Sequence, residues 1–328
     1  MPPRVALAMV PELFPSAFTA AQLARLEAVA VLANREPLAS FADERAPELL
    51  AGCDVLLGHW GCPPLDAAAL DLAPDLRLFA YAAGTVKAIV TPAVWERGVV
   101  VTSAAAVNAV PVAEFALAAI LFANKGVFAS REWFRDRSVR VKRPQPVGNV
   151  AKQVGIIGAS HVGRPLLELL RPFDLTVVVA DPYVRQSDLD VPLVELDELL
   201  ATSDVVSLHA PDLPSTRGML GAAQLARMKD GATFVNTARG ALVDTAALEV
   251  ELATGRISAV LDVTDPEPLP PSSPLWSLPN VYLTPHVAGA QGSELSRLAD
   301  LAIEEVERYA AGLPPRFEVR AADWDRIA

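Results

Sequence analysis

Three segments in the second half of the chain each contain a polar residue suited to acid–base or anion chemistry, at the end of an apolar run. They read NTARG, DVTDPEP and TPHVAG, at positions 236–240, 262–268 and 284–289. Histidine exchanges a proton near neutral pH, a neighbouring carboxylate orients its ring, and a guanidinium holds a planar carboxylate through two parallel hydrogen bonds. Arg239, Glu267 and His286 are therefore candidates for proton transfer to an anionic substrate.

Taken singly, each of these residues has a structural alternative. Arg239 before Gly240 can pair with a structural acid, His286 after Pro285 can be a loop histidine with satisfied hydrogen bonds, and Glu267 between two prolines can be a solvated turn residue. The functional interpretation depends on the combination and on a nucleotide site upstream.

Residues 154–163, VGIIGASHVG, predict a dinucleotide-binding turn between a strand and a helix that begins near Arg164. In such a turn the first glycine bends the chain, the second lets the backbone approach the pyrophosphate, and the third lets helix and strand pack closely. Gly158 and Gly163 occupy the first and third places, whereas Ser160 occupies the second. Because serine is small, we expect the amides at the helix N-terminus to remain able to bind the anion.

Asp181 follows the next apolar run, 23 residues after Gly158, close to the spacing of a ribose-binding acid. A carboxylate there accepts hydrogen bonds from the ribose hydroxyls and repels a 2'-phosphate. The sequence therefore favours NAD over NADP, the alternative being that Asp181 only caps the loop before Pro182.

Two series of short apolar runs alternating with helical stretches predict an α/β protein with two doubly wound parallel-sheet units. The first series contains runs at 5–10, 55–58, 76–81 and 99–102 and a helical stretch at 20–33; the second contains runs from 154 and at 177–180, 205–208, 233–236, 259–262 and 281–284. We expect helices at 112–124 and 294–311, and a surface connector rich in proline and arginine at 131–148.

Composition excludes several function classes. The net charge of −11 argues against binding to nucleic-acid phosphates. The apolar run 109–123 contains Pro111 and Glu114 and is too short to cross a bilayer, so we expect a buried helix and no membrane partner. No signal peptide is recognisable, and Cys53 and Cys62 match no metal or redox motif, so we expect a cytoplasmic protein without a metal site.

Together with PVAEFALAAILFANK at 111–125 and DVVSLHAPDLPSTRGM at 204–219, these motifs closely resemble the D-isomer-specific 2-hydroxyacid dehydrogenase family over nearly the whole chain. The resemblance implies an NAD(H)-dependent reaction between nicotinamide C4 and C2 of a small anionic 2-hydroxy or 2-keto acid. It implies that Arg239 binds the substrate carboxylate and carbonyl, that Glu267 orients the histidine, and that His286 donates and accepts the proton.

The resemblance also implies binding residues around this triad. Ala83 and Gly84 match a loop whose backbone amides receive the substrate carboxylate, although Lys87 stands near where the family commonly has an acid. Asp262 matches a residue that binds the nicotinamide carboxamide. The implied cofactor-binding positions are Gly158, Ser160, His161, Val162, Gly163, Asp181, His209, Ala210, Pro211, Thr216, Thr237, Ala238, Arg239, Asp262 and His286. Without the family context, His209 and Asp262 could equally cap their strands.

The layout implied by the family is a Rossmann coenzyme domain at residues 105–290 and a discontinuous, flavodoxin-like substrate domain at residues 1–104 and 291–328, with a cleft between them. Family members usually dimerise through the coenzyme domain, so a homodimer is expected. Trp60, and Trp133 with Arg135 in the connector, are weaker candidates for shaping a substrate pocket.

Other functions of this fold are a phosphite or formate dehydrogenase and an NAD-sensing protein like the corepressors that retain the triad. Formate enzymes typically have glutamine where Glu267 stands, which counts against formate. A sensor is disfavoured because the chain has no basic patch and no appended interaction tail, and turnover of a 2-keto acid would separate the two classes.

Overall fold

The computed structural model describes residues 1–135 and 147–327, without the side chains of Glu132, Trp133 and Arg135. Most of the predicted connector 131–148, including the side chains of Trp133 and Arg135, thus lies outside the described residues. The chain divides into two compact units: unit 1 is Met1–Ala109 with Ala290–Ala328, and unit 2 is Val110–Gly289. The identification of these units as substrate and coenzyme domains stays a prediction.

Unit 1 contains a five-stranded parallel sheet in the order β2-β1-β3-β4-β5, the flavodoxin-like order. The strands are β1 Arg4–Ala8, β2 Val31–Leu32, β3 Val55–Gly58, β4 Leu78–Tyr81 and β5 Val100–Ser103. The helices of the first part of this unit are α1 Phe14–Ala17, α2 Ala20–Glu27, α3 Ala46–Leu50, α4 Ala67–Leu72 and α5 Pro92–Glu96.

The predicted helical stretch 20–33 is only partly helical. Helix α2 ends at Glu27, and Val31 and Leu32 form β2, which pairs with Arg4 and Val5 of β1. Pairing with β1 gives hydrogen bonds to the backbone groups of Val31 and Leu32 that would otherwise form them within a longer helix. The end of α2 is therefore determined by a tertiary contact.

Unit 2 contains a six-stranded parallel sheet in the order β11-β10-β9-β8-β6-β7. Its strands are β6 Lys152–Ile157, β7 Leu175–Ala180, β8 Val205–Leu208, β9 Thr233–Asn236, β10 Ser258–Leu261 and β11 Val281–Leu283. Its helices are α7 Val127–Arg135, α8 Gly163–Leu170, α9 Leu196–Thr202, α10 Ala222–Arg227 and α11 Thr245–Ala253. Helices pack on both faces of this sheet and form two apolar clusters, so the predicted doubly wound α/β architecture is confirmed.

Helix α6 spans Ala105–Asn124, so it begins seven residues earlier than predicted and ends where predicted. The division between the two units falls within this helix. By length and composition alone this 20-residue helix could cross a membrane, but Ala113, Ala116 and Ile120 are fully buried and Phe122 is 51% exposed. Buried residues recur every three to four positions, the spacing of one helix face packed on a protein core.

After unit 2, the chain returns to unit 1 through α12, Leu295–Ala310, whose Ala299, Ala302, Ile303 and Val306 pack on the sheet. A short C-terminal segment then pairs with β5: the amide of Val319 donates to Val101 O at 2.8 Å, and Glu318 lies opposite Thr102 in an antiparallel bridge. Buried Glu305 of α12 fixes the start of this segment by accepting the amides of Arg316 and Phe317 at 3.0 Å.

Candidate functional site

The predicted nucleotide and triad residues of unit 2 collect at one edge of its sheet because the strands are parallel and end in register. The last residues of the six strands pair across the sheet as Ala180, Ile157, Leu208, Asn236, Leu261 and Leu283. The residues that follow them are Asp181, Gly158, His209, Thr237, Asp262 and Thr284. The carboxyl edge of a parallel sheet is where ligands bind in doubly wound proteins.

The turn between β6 and α8 has the tight geometry that its two glycines allow. Gly158 has φ +93°, and a Cβ there would lie 2.8 Å from the His209 carbonyl group. A Cβ on Gly163 would lie 2.1 Å from Gly158 O, so only glycine fits where the helix meets the turn. Ser160 and His161 are exposed on this turn, and none of the described side chains caps the N-terminus of α8.

Asp181 holds the turn through its carboxylate. One oxygen accepts the amide of Ala159 and the other accepts the amide of Tyr183, both at 2.8 Å. Each carboxylate oxygen has a further lone pair, so Asp181 can also accept hydrogen bonds from ribose hydroxyls.

His209 is buried, and its ring packs inward rather than towards the edge of the sheet. Its Nε2 lies 2.8 Å from Ser207 Oγ, its Nδ1 is buried with no hydrogen-bond partner in the described part of the chain, and burial lowers its pKa to about 3. The backbone of His209, rather than its ring, faces Gly158. The neighbouring Thr237 Oγ1 is also buried and has no hydrogen-bond partner among residues 1–135 and 147–327, which leaves a polar atom for a ligand at this edge.

The remaining cofactor positions lie on the same loops. Ala210 and Pro211 follow β8 and are half-buried, and Thr216 stabilises this loop by donating its hydroxyl to Pro211 O at 2.6 Å. Val162 precedes α8 and Ala238 follows β9. The glycine turn, the uncapped helix terminus, Asp181 and the unpaired Thr237 hydroxyl together fit a dinucleotide.

Arg239 is half-buried and has no carboxylate within ion-pair distance among the described residues. Its Nη1 donates only to the carbonyl of the preceding Ala238, at 2.5 Å. This disfavours the structural alternative, in which Arg239 pairs with an internal acid, and leaves most guanidinium donors for an anionic ligand.

His286 and Glu267 form a direct pair, with His286 Nδ1 2.8 Å from Glu267 Oε1. Both side chains are open to solvent, at 48% and 42% exposure, so this is not a buried structural contact. Glu267 lies between Pro266 and Pro268, each of which is joined to its predecessor by a cis peptide bond. The two partners are 19 residues apart in the sequence, and the pairing of β10 with β11 brings them together.

Asp262 is 2% exposed and organises the segment that contains His286. Its Oδ1 accepts the Thr284 hydroxyl at 2.6 Å and the Val287 amide at 2.8 Å, and its Oδ2 accepts the Ala288 amide at 2.9 Å. His286 has φ +54°, a conformation that is rare for a side-chain-bearing residue. Hydrogen bonds on both sides of His286 hold that conformation in place.

In unit 1, Ala83 and Gly84 follow β4, and Lys87 closes the loop. Lys87 Nζ lies 5.5 Å from the ring centroid of Trp324, whose ring contacts Trp95 edge-on at 5.0 Å. The lysine charge is thus partly satisfied by an aromatic face. Trp60 is half-buried against the apolar cores of unit 1, and the adjacent His59 accepts the Trp60 amide at Nδ1, at 2.7 Å.

Sequence reasoning missed Ser103, whose hydroxyl contacts the carbonyls of Ala83 and Gly84. It also missed the donor role of Thr284 towards Asp262. Ser103 follows a predicted strand and lies in none of the quoted motifs, whereas Thr284 is the first residue of TPHVAG, but residue type alone did not indicate its contact with Asp262.

Comparison with known proteins matches this chain to one family. A family model described as D-isomer specific 2-hydroxyacid dehydrogenase, NAD binding domain, matches residues 117–288. A glyoxylate reductase from Korarchaeum cryptofilum is 35% identical over 280 residues, covering 82% of this chain and 84% of that protein.

A D-3-phosphoglycerate dehydrogenase from Archaeoglobus fulgidus is 33% identical over 259 residues, covering 78% of this chain. The matched part is 49% of that relative, so the chain aligns with about half the length of this longer protein. Among solved structures, a Thermus thermophilus protein is similar with a TM-score of 0.78 and 31% identity, covering 97% of this chain and all of that one.

Proposed function

Because this chain belongs to the D-isomer specific 2-hydroxyacid dehydrogenase family, whose NAD-binding domain it contains, we propose that it transfers hydride between NAD(H) and C2 of a small 2-hydroxy or 2-keto acid. The relatives named above reduce glyoxylate or oxidise 3-phosphoglycerate according to their names. The proposed substrate of this chain is a small anionic acid of the same class.

The observation that supports this function best is the contact between His286 Nδ1 and Glu267. An ionised carboxylate only accepts hydrogen bonds, so Nδ1 bears the hydrogen and Nε2 is the nitrogen left for proton exchange. In the direction of reduction, His286 Nε2 gives its proton to the carbonyl oxygen as negative charge develops there. In the direction of oxidation it removes the hydroxyl proton.

Arg239 has the complementary role of binding the acid. Its guanidinium presents parallel N–H donors that match the two oxygens of a carboxylate, and no internal acid among the described residues competes for them. The amides of the Ala83–Gly84 loop are proposed as further carboxylate donors. Bound NADH supplies the hydride, and Gly158, Gly163, Asp181 and Thr237 are the residues that would hold it.

We expect His286→Asn to reduce kcat for any 2-keto acid by at least about 100-fold, because general acid catalysis typically contributes this much. NADH affinity, measured by fluorescence titration, should change far less than kcat, since the side chain is exposed and removing it disturbs no core packing. Glu267→Gln should also lower kcat, because a neutral amide no longer stabilises the protonated ring.

Steady-state assays with glyoxylate, hydroxypyruvate, pyruvate, phenylpyruvate, 3-phosphohydroxypyruvate and, in the reverse direction, phosphite provide the test. Wild-type turnover in His286→Asn would contradict the proposal. Tight NADH binding by the wild type without reduction of any 2-keto acid would identify a sensor instead.

We further propose that the chain is a cytoplasmic homodimer that associates through unit 2. Support comes from apolar side chains on the outside of this unit: Phe122, Phe134 and Val150 are 51%, 80% and 72% exposed. Exposed apolar patches commonly mark association surfaces. Sedimentation of the wild type and of Phe122→Lys would test the assembly, since a buried lysine should shift a dimer towards monomer.

A further inference from the structure

Ser103 is the last residue of β5 and is nearly buried, with 6% of its surface exposed. Its hydroxyl oxygen lies 2.5 Å from Gly84 O and 3.2 Å from Ala83 O, and it accepts the amide of Ala105 at 3.1 Å. One side chain thus contacts both consecutive carbonyl groups of the loop that follows β4.

The contacts of the Ser103 hydroxyl with these carbonyls determine where the Gly84 amide points. A trans peptide group is planar, so its C=O and its N–H point in opposite directions. The carbonyl of Ala83 shares its peptide group with the amide of Gly84, one of the two loop amides assigned to the substrate carboxylate. By attracting the carbonyls of both Ala83 and Gly84, the Ser103 hydroxyl fixes the backbone on either side of Gly84 and turns the Gly84 amide towards the opposite side of the loop.

The hydroxyl is itself held at a fixed position. Strand β5 pairs with β4 on one side, with Ser103 in register with Tyr81, and with the C-terminal segment on the other. The amide of Ser103 donates to Phe317 O at 3.2 Å, and the amide of Val319 donates to Val101 O. Because both edges of β5 are paired here, the Ser103 side chain has little freedom to move away from the loop.

We propose that Ser103 is a positioning residue for the substrate carboxylate: it does not touch the substrate but orients the Gly84 amide that receives it. This inference rests on the proposed function for the nature of the anion. It assigns to β5, and to the C-terminal segment that pairs with it, a role in substrate affinity.

The test compares Ser103→Ala with the hydroxyl-retaining Ser103→Thr and with Thr102→Val. Thr102 is the neighbouring residue of the same strand and is fully buried. Its hydroxyl has no hydrogen-bond partner among the described residues, so Thr102→Val removes a buried hydroxyl without breaking a hydrogen bond. Ser103→Ala should raise KM for the best 2-keto acid by about tenfold, the upper end of what one buried hydrogen bond contributes. Its kcat and NADH affinity should change by less than about threefold.

A substrate without a carboxylate separates positioning from general damage to the fold. Reduction of pyruvamide should be equally slow in the wild type and in Ser103→Ala, because it has no carboxylate for the amides to bind. Oxalate, titrated calorimetrically into the NADH complex, should bind Ser103→Ala about tenfold more weakly and Thr102→Val normally. Ser103→Thr should lie closer to the wild type than Ser103→Ala does.

Equal KM changes in Ser103→Ala and Thr102→Val, or equal losses with pyruvate and pyruvamide, would overturn the inference. If the wild type reduces no 2-keto acid, the proposed function fails. The oxalate titration then still decides about Ser103, because anion binding needs no turnover, and unchanged oxalate affinity in Ser103→Ala would reject its role.

Discussion

The carboxylate of Asp262 shows how one buried side chain can determine the geometry of an exposed acid–base pair. It binds two backbone amides and one hydroxyl in the segment around His286, whose own amide donates to the backbone carbonyl of Asp262 at 2.9 Å. The positive φ of His286 costs free energy that these bonds offset. The family resemblance assigns the same carboxylate to the nicotinamide carboxamide, which stays a prediction.

We therefore predict that Asp262→Ala lowers the free energy of unfolding by about 2–4 kcal/mol, because three donors lose a charged acceptor in a buried place. It should also lower kcat, since His286 loses its fixed backbone conformation. Urea denaturation and steady-state kinetics measure the two effects.

Asp265→Ala is the matched control for this variant. It removes the same side chain from the same loop at an exposed position, and should change stability by no more than about 0.5 kcal/mol. Equal stability losses in the two variants would show that Asp262 does not organise the segment.

Among structural elements, the junction of β6, its turn and α8 is the most constrained by close packing. A Cβ on Gly163 would overlap Gly158 O at 2.1 Å, and backbone atoms cannot rearrange as a flexible side chain does. We predict that Gly163→Ala destabilises the protein by about 1–3 kcal/mol, as overpacking commonly does. It should also weaken NADH binding, since the carbonyl of Gly158 must shift.

Gly221→Ala provides the control at another helix N-terminus, that of α10. There a Cβ would meet its nearest neighbour, Gln224 Oε1, at 3.6 Å, and φ is −94°. Fluorescence titration with NADH and thermal melts compare the variants. Normal NADH affinity in Gly163→Ala would contradict the proposed fit of the turn to the dinucleotide.

The strands of unit 2 could be predicted closely because each is a short apolar run that ends at a polar residue or glycine. Strands that are buried on both faces have nearly continuous apolar sequences, which can be recognised without knowing their neighbours in the sheet. The helical stretch at 20–33 was predicted too long because β2 is defined by pairing with β1, which no local pattern shows.

The contacts of Ser103 and Asp262 could not be predicted for a similar reason. They depend on strand register, which brings Ser103 to residues 19 and 20 positions away and Asp262 to residues 22 to 26 positions away. The triad could be identified from residue types and motifs, although its geometry could not.

For the molecule as a whole, two buried histidines predict a pH-dependent stability. Burial lowers the pKa of His59 to about 4 and that of His209 to about 3, from 6.5. In the unfolded chain both rings bind protons as pH falls below about 6.5, whereas in the folded protein they remain neutral, so unfolding takes up protons. Their contribution to stability is complete above the unfolded pKa and is lost as pH falls towards the folded values.

Lowering the pH from 7.5 to 5 should therefore reduce the free energy of unfolding by about 2 kcal/mol for each ring, at 1.36 kcal/mol per pKa unit. In His59→Asn the amide oxygen can replace Nδ1 as acceptor for the Trp60 amide, and no titrating ring remains at this position. Urea titrations at both pH values should show a smaller pH effect in His59→Asn than in the wild type. An identical pH effect would show that His59 is not the source.

The lack of space at Gly240 has a consequence for motion. A methyl group there would lie 2.0 Å from the Thr264 carbonyl carbon, so the backbone beside Arg239 rests directly on the backbone that leads to Glu267. With no side chain between them to absorb a displacement, the guanidinium loop and the carboxylate loop should fluctuate together rather than separately. Amide relaxation measurements on microsecond to millisecond timescales should then find one shared exchange process across residues 239–240 and 264–267.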